Sequence, residues 1–435
     1  MSPDAERQHR LSPARVLDLD PLLDDPGTRI VVCCGSGGVG KTTTAAALGL
    51  RAAERGRKVV VLTIDPARRL AQSMGIDSLD NTPRRVKGVE GAGELHAMML
   101  DMKRTFDEIV EAHADPERAS AILGNPFYQS LSAGFAGTQE YMAMEKLGQL
   151  RARDEWDLIV VDTPPSRSAL DFLDAPKRLG SFLDGRLIRL LTAPAKLGGR
   201  AGMKFLNVGM SMMTGTLGKL LGGQLLKDVQ TFVSAMDTTF GGFRTRADAT
   251  YKLLQAPGTA FLVVAAPERD ALREAAYFVE RLAAEDMPLA GLVLNRVHGS
   301  GAARLSAERA LAAAEDLDLV GDRAAENLEE SRIVDQEDGK AGVRNSPDTD
   351  GSSGSPTSNR TVPQLTAGLL RLHAERMQLL SREQRTRDRF TALHPEVAVA
   401  EVAALPGDVH DLAGLRDIGA RLAAGRPELP ETAEE

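Results

Sequence analysis

The chain has 435 residues, of which 43% are hydrophobic and 26% are charged, and its formal net charge is −8. This length allows a substantial core and two or three domains, and the negative charge excludes a global basic field for nucleic acid. The two cysteines, Cys33 and Cys34, are neighbours on one predicted strand, which excludes a disulfide framework and fits a reducing cytoplasm.

No apolar run in the chain is long enough to predict a membrane-spanning helix, and the charged start "MSPDAERQHRLSPARV" does not read as a secretory signal. We therefore expect a cytoplasmic protein, with peripheral contact to a membrane left open. The cysteines and histidines do not form a cluster with zinc-ligand spacing, so the sequence predicts no zinc site.

Short β-branched runs alternate with helical patterns along the chain. Helices are predicted over residues 43–55 and 269–284, where Ala, Leu and Glu recur. The apolar runs are "RIVVCCG" at 29, "KVVVLTID" at 58, "DLIVVD" at 157, "AFLVVAAPE" at 260 and "LAGLVLNRV" at 289. Such runs are typical of strands covered on both faces, so the sequence predicts an α/β fold with a doubly wound, mostly parallel sheet.

Two stretches interrupt this alternation. Residues from about 168 to 257 contain no good strand and predict a helical insert, and residues 317–361 are polar and rich in Ser, Gly and Pro, which predicts a disordered linker. The predicted organisation is a flexible segment over 1–27, a core over 28–316 that includes the insert, the linker over 317–361, a helix–strand–helix over 362–425 that rejoins the core, and a tail over 426–435.

Residues 35–42 match the pattern G-x-x-x-x-G-K-[ST] directly after a strand and before a helix, the context of a phosphate-binding loop. Its glycines let backbone N–H groups point at phosphates, Lys41 would reach the β- and γ-phosphates, and Thr42 would place its hydroxyl on Mg²⁺. The predicted nucleotide contacts in this loop are Gly35, Ser36, Gly37, Gly38, Val39, Gly40, Lys41, Thr42 and Thr43.

The sequence "GGVGKTT", followed by "DPARRL" and "DTPPSRSALDFL", resembles that of the ArsA and Get-type ATPases, to which ParA and MinD are more distantly related. "PERDALREAAYFVERL" and "LVLNRV" resemble the helix and the adenine-side strand of the first group. The resemblance covers residues 27–316 strongly and the final 70 loosely. It implies an ATPase that uses ATP and Mg²⁺ and works as a dimer.

The resemblance also implies roles for single residues. Asp65 would orient or deprotonate the attacking water, and Lys41, the second catalytic residue, would bind the phosphates. Thr42 would bind Mg²⁺ directly, and Asp162 would contact the ion through a water molecule. An N-cap role for Asp65 stays open.

On the base side, the resemblance implies that Asn295 bonds the adenine edge and that the loop near Pro406 covers the base. A strand-end turn role for Asn295 stays open.

Ser36 departs from the family, whose members usually carry there a lysine that crosses the dimer interface to the partner's phosphates. A serine hydroxyl cannot supply that charge. Either Arg68 or Arg69 could supply it, or a paralogous chain that carries the lysine could pair with this one. The dimer is therefore expected to be a homodimer or a heterodimer with a paralogous ATPase, and surface solvation of both arginines stays open.

From Gly185 to Lys227 the predicted insert has seven basic side chains and no Asp or Glu. Methionines and glycines lie among them, which gives a pliable apolar surface. Core packing, a groove for an apolar client helix and contact with anionic lipid all stay open. The residues concerned are Arg186, Arg189, Lys196, Arg200, Lys204, Lys219 and Lys227, with Met203, Met210, Met212 and Met213.

The predicted function is an ATP-hydrolysing protein whose nucleotide state is coupled to an insert that contacts a client protein or a membrane partner. The alternative is a switch of the ParA and MinD kind, in which ATP controls assembly or positioning on a surface. A small-molecule kinase is disfavoured because the sequence contains no visible acceptor site.

Overall fold

The computed structural model describes residues 15–65, 69–132, 138–164, 245–334 and 362–425. The chain forms two compact units, one over Met1–Val297 with Arg387–Pro427 and the other over His298–Thr386 with Glu428–Glu435. Most of the predicted insert lies outside the described residues. So do Arg68 and residues 335–361 and 426–435.

Eight strands of the described residues form one sheet. They are β1 Ile30–Cys34, β2 Lys58–Thr63, β3 Arg84–Arg85, β4 Glu94–Met99, β5 Leu158–Asp162, β6 Thr259–Ala265, β7 Leu289–Val297 and β8 Val399–Ala403. Their order in the sheet is β3-β4-β2-β5-β1-β6-β7-β8, and all neighbours pair in parallel except β3 and β4. This confirms the predicted doubly wound, mostly parallel sheet.

Helices of the first unit cover the sheet and connect its strands. Asp101, Asp115 and Asp411 accept hydrogen bonds from backbone N–H groups at the starts of three of them, as N-cap residues do. The helices are α1 Asp20–Asp24, α2 Lys41–Glu54, α3 Arg69–Ser73, α4 Met102–His113, α5 Pro116–Leu123, α6 Pro126–Ser132, α7 Thr138–Ala152, α8 at 245–255, α9 Arg269–Ala284, α10 Ala307–Val334, α11 Val362–Leu393 and α12 Leu412–Ala424.

The sheet is buried on both faces, and alternate residues of a central strand enter different cores. Val60 and Leu62 of β2 belong to the cluster that contains Ile30, whereas Val59 and Val61 pack with α2 in the other cluster. Because the side-chain period of a strand is two, a strand buried on both sides must be apolar throughout. This is why the apolar runs located the strands correctly.

Cys33 and Cys34 show the same alternation. Cys34 lies in the first of these clusters and Cys33 in the second, and both are fully buried free thiols. Burial raises the pKa of the Cys33 thiol well above its usual range and the pKa of Cys34 to about 12. Both cysteines are therefore structural core residues.

The predicted flexible segment over residues 1–27 is wrong for residues 15–27. Leu17, Leu19 and Leu23 are buried, and Leu17 donates its backbone N–H to Val399. The guanidinium of Arg57 donates to the backbone oxygens of four residues, Leu23, Asp25, Thr28 and Asp157. The charged start of the chain shows no apolar run, but these three leucines belong to the core cluster that also contains Val59 and Val61.

The predicted linker begins too early, because α10 continues to Val334. Polar composition alone suggested disorder from residue 317, yet Ala, Leu, Glu and Arg are all good helix formers. Within the second unit, His373 and Leu305 are joined by a hydrogen bond of 2.8 Å between the ring Nε2 and the backbone oxygen. Ala310 and Ala314 of α10 and Ala367 of α11 are fully buried.

The sequence did not predict β3 or β4. Strand β4 lacks β-branched residues, and it is a strand because it pairs with β2 along six residues and with β3 on its other side. We find no helix in the described ranges with enough length and hydropathy to cross a bilayer.

Candidate active site

The phosphate-binding loop lies between β1 and α2, at the carboxyl end of the central strands. Gly40 has φ +94°, and a Cβ there would lie 2.2 Å from Nδ2 of Asn295. Gly35 has φ +147°, and a Cβ there would lie 2.1 Å from the backbone oxygen of Val264. Both positions therefore require glycine, because they combine a left-handed backbone with a close approach. The loop leads directly into the amino end of α2, where unpaired N–H groups and the helix dipole favour an anion.

Lys41 lies over this loop and is 5% exposed. Its Nζ donates to the backbone oxygen of Ser36 over 2.8 Å. Burial lowers the pKa of Lys41, while the carboxylates of Asp162 and Asp65 act in the opposite direction. Among the described residues, the ammonium thus donates to a backbone oxygen of the loop, which a phosphate oxygen could replace.

Asp162 ends β5 and is fully buried beside the start of α2. Its Oδ2 accepts hydrogen bonds from Thr42 Oγ1 and from Thr63 Oγ1, each over 2.8 Å. Burial raises the pKa of Asp162 to about 6, against the hydrogen bonds from the two threonines, which lower it. Its Oδ1 is buried and has no hydrogen-bond partner among the described residues.

This orphaned oxygen and the Thr42 hydroxyl are the kind of hard donors that Mg²⁺ prefers. The described residues contain no group of three or more His, Cys, Asp or Glu side chains that could hold a metal by themselves. A Mg²⁺ bound through one threonine, phosphate oxygens and waters needs no such group. The residues present therefore fit the ion that the sequence predicts.

Asp65 follows β2 and is half-buried. Its backbone N–H donates to Thr63 Oγ1 over 3.2 Å, and Thr63 also binds Asp162. The backbone of Asp65 and the carboxylate of Asp162 therefore bind the same threonine, and the Asp65 carboxylate lies close enough to add to the effect of burial and raise the pKa of Asp162. Residues 66–68 beyond Asp65 are outside the described residues, so the alternative N-cap role at the next helix stays a prediction.

Asn295, on β7, contacts the phosphate loop itself. Its Nδ2 donates to the backbone oxygen of Val39 over 2.9 Å, and its Oδ1 accepts from the N–H of Arg296 over 2.9 Å. Arg296 has φ +60°, a conformation that non-glycine residues seldom adopt. The predicted contact with adenine would have to be made beside these two bonds.

Ser36 borders a cavity of about 300 Å³ outside the loop. Its Oγ is buried without a hydrogen-bond partner among the described residues. The other polar side chains lining this cavity are Glu268, Asp270, Glu274 and Arg296. The three carboxylates would repel a phosphate group in this cavity and attract a positively charged group.

Three predicted residues make no described hydrogen bond with the other residues of this site. Thr43 is half-buried in the first turn of α2, and Pro406 is exposed on the loop that follows β8, the neighbour of β7. Arg69 is exposed at the start of α3. These positions are compatible with contacts to a nucleotide or a partner, which the sequence predicts.

Residues 28–306 match the family described as anion-transporting ATPase. The chain belongs to the anion-transporting ATPase family. Among curated relatives, "ATPase GET3" of Malassezia globosa is 31% identical over 165 residues, which is 38% of this chain and 47% of that protein. "ATPase GET3" of Podospora anserina is 26% identical over 281 residues, 64% of this chain and 76% of that protein. That of Ajellomyces dermatitidis is 26% identical over 283 residues, with the same shares.

The match confirms the resemblance on which the predicted ATPase site rests. Sequence reasoning missed Thr63, which binds the Asp162 carboxylate and the Asp65 backbone N–H, and Gln139 of α7, which donates to the backbone oxygen of Ile64 over 2.9 Å. The threonine could have been found, because a hydroxyl two residues before Asp65 points to the same strand end. Nothing in the pattern around Gln139 marks its contact.

Proposed function

We propose that this chain binds ATP with Mg²⁺, hydrolyses it slowly by itself, and couples its nucleotide state to the basic, methionine-rich insert. The observation that carries the proposal is the bond from Thr42 to Asp162 at the mouth of a glycine loop. It places a hydroxyl, a buried carboxylate and a helix amino end around one point. This is the arrangement that phosphoryl transfer needs, because that reaction depends on positioning and charge.

Each residue would have one task. Lys41 would leave Ser36 and contact the β- and γ-phosphates, and Thr42 and Asp162 would hold Mg²⁺, the latter through water. The ion would neutralise charge that develops on the phosphate oxygens. Asp65 would orient the attacking water or accept its proton, since it lies beside the same threonine as Asp162.

The serine at position 36 affects which chain could complete the active site of a dimer. A homodimer of this chain would lack the two interfacial ammonium groups that the family's lysine supplies. We propose a heterodimer with a paralogous ATPase that carries the lysine, in which one composite site is complete and the other is slow. Arg68 and Arg69 are the alternative source of positive charge in a homodimer.

The insert is the segment whose contacts we propose to change with the bound nucleotide. Its seven basic side chains over residues 185–227 suit either an apolar client helix with acidic flanks or anionic lipid. Residues 165–244 follow directly from the loop after Asp162 in the chain, so a change at that loop is well placed to reach them. We propose a cytoplasmic protein that can contact a membrane protein or membrane surface.

Equilibrium binding and single-turnover hydrolysis of ATP test the proposal, because single turnover detects a slow rate. Lys41→Ala should abolish tight binding of Mg²⁺ and ATP, whereas Asp65→Asn should keep binding and lose hydrolysis. The matched control is Asp77→Asn, an exposed carboxylate in the same region. Unchanged hydrolysis in Asp65→Asn would move the catalytic role elsewhere, and unchanged binding in Lys41→Ala would refute the site.

A further inference from the structure

Gln139, at the start of α7, reaches the backbone beside Asp65. Its Nε2 donates to the backbone oxygen of Ile64 over 2.9 Å. That carbonyl and the N–H of Asp65 belong to one planar peptide group. The N–H is held by Thr63 Oγ1 over 3.2 Å. Side chains therefore hold both polar groups of the peptide that leads into Asp65.

The next bonds connect this peptide to the metal-binding carboxylate. The N–H of Ile64 donates to the backbone oxygen of Asp162 over 2.9 Å, and Thr63 Oγ1 donates to Oδ2 of the same residue. These hydrogen bonds join β2 and β5 within the sheet. Gln139 adds a hydrogen bond from a helix, so the Ile64–Asp65 peptide plane is held from a second direction.

Helix α7 is a firm support for that side chain. Tyr141, Met144 and Leu147 are almost completely buried in the core. Lys146 forms an ion pair with Glu108 of α4 over 2.8 Å, and Glu145 forms one with Arg246 of α8 over 2.8 Å. Buried packing and two ion pairs fix the helix, and a side chain on a fixed helix places its polar atoms more accurately than one on a loop.

We propose that Gln139 is a positioning residue for Asp65, because its amide N–H holds the Ile64–Asp65 peptide plane and so orients the Asp65 carboxylate during hydrolysis. This inference rests on the proposed function, since Asp65 matters only if the chain hydrolyses ATP. An amide is the required group, because it donates to a carbonyl at every pH. An ionised carboxylate in its place could not donate and would repel the Ile64 oxygen.

The first test compares steady-state or single-turnover kinetics of Gln139→Glu with those of the full-length wild type. We expect kcat to fall about tenfold to a hundredfold with KM unchanged, as expected when a reacting group is slightly misplaced. The matched control is Gln149→Glu, the same chemical change on the same helix at a half-buried side chain that makes no hydrogen bond with a described residue.

The pH profile separates positioning from general damage. A protonated carboxyl can donate to Ile64, so the ratio of kcat in Gln139→Glu to kcat in the wild type should rise as the pH falls from about 8 to about 4.5, close to the ordinary pKa of glutamate. Gln139→Leu should lose activity without such recovery. A ratio that stays at one, a loss that does not recover at low pH, or a loss shared by Gln149→Glu overturns the proposal.

A second measurement does not need turnover. Hydrogen exchange at the Asp65 amide should be about tenfold faster in Gln139→Leu than in the wild type, because the plane loses one of its two holders, while exchange at Val61 in β2 should not change. Equal exchange at Asp65 overturns the proposal. If the wild type hydrolyses no ATP in single turnover but the exchange result holds, the proposed function fails and the positioning contact stands. If Asp65→Asn hydrolyses ATP normally, the catalytic role lies elsewhere.

Discussion

The side-chain amide of Asn295 donates to the backbone oxygen of Val39 over 2.9 Å, so that β7 holds the phosphate loop from outside. The same amide stands where a Cβ on Gly40 would have to lie. Asn295 and the loop are thus fitted to each other, independently of any contact with a base.

We expect Asn295→Ala to weaken nucleotide binding by about fivefold to twentyfold, the loss of one to two hydrogen bonds. If the amide supports the loop, the loss should be equal for ATP and GTP. If it also bonds the adenine edge, ATP should lose more. Titration with both nucleotides measures this, and unchanged binding of both would contradict either role.

Gly40→Ala should abolish nucleotide binding, because it adds a methyl group in the place of the Asn295 amide at φ +94°. Combining it with Asn295→Ala removes the clash but not the backbone strain. The double variant should therefore recover only part of the binding. Full recovery in titration experiments would show that the clash alone matters.

Asp162→Asn should stabilise the protein free of nucleotide and metal at neutral pH. Folding raises the pKa of this carboxyl from 3.8 to about 6, so its protonated form is favoured in the folded state. Its contribution to stability is present below pH 3.8 and is lost as the pH rises through about 6. The variant should gain about 1–3 kcal/mol at about pH 8 and almost nothing near pH 4.

Urea unfolding of both proteins across this range measures the difference, with Asp77→Asn as the exposed control. A gain that does not depend on pH would show that the carboxylate is not the cause. With saturating ATP and Mg²⁺ the sign should reverse, because the variant loses a carboxylate that the ion needs.

Ser36→Lys should raise the hydrolysis rate of the isolated chain at least about tenfold, because it restores the charge across a dimer interface. Ser36→Met, similar in length and uncharged, should not. The three carboxylates of the adjacent cavity would also attract the new ammonium within its own chain, and this would limit the gain. If the wild type is already fast and Arg68→Ala with Arg69→Ala stops it, the arginines fill the role.

Protection from hydrogen exchange over residues 165–244 should differ between the states bound to ADP and to an ATP analogue. Two-state coupling requires that the nucleotide change the contacts of this segment. Equal protection in both states would favour simple core packing. Liposome binding that disappears at high salt would identify anionic lipid as the partner rather than an apolar helix.

The sequence predicted the parts of the fold that depend on local pattern. Five central strands and the glycine loop were located because a strand buried on both faces must be apolar and a phosphate loop needs glycine at fixed places. Strand β4 was missed because its residues, such as Leu95 and Met98, become a strand by pairing with β2 and β3, which the local pattern does not show.

The site shows the same limit. Lys41, Thr42 and Asp162 were predicted from motifs, and the structure brings them together at one strand end. Gln139 could not be predicted, because its partner is a backbone oxygen 75 residues earlier in the chain and no motif records such a contact. Residues that act through the backbone are visible only once the tertiary structure is known.

The burial of Cys33 and Cys34 has a practical consequence for spectroscopy. The chain contains two cysteines, and neither thiol is exposed or readily ionised. Maleimide dyes attack thiolates, so the native protein should react very slowly and serve directly as a background for site-specific labelling. Two new cysteines, one at Gln149 and one between residues 185 and 227, could then carry a donor dye and an acceptor dye. Fluorescence energy transfer between the dyes would report how the distance between α7 and that segment changes with each nucleotide.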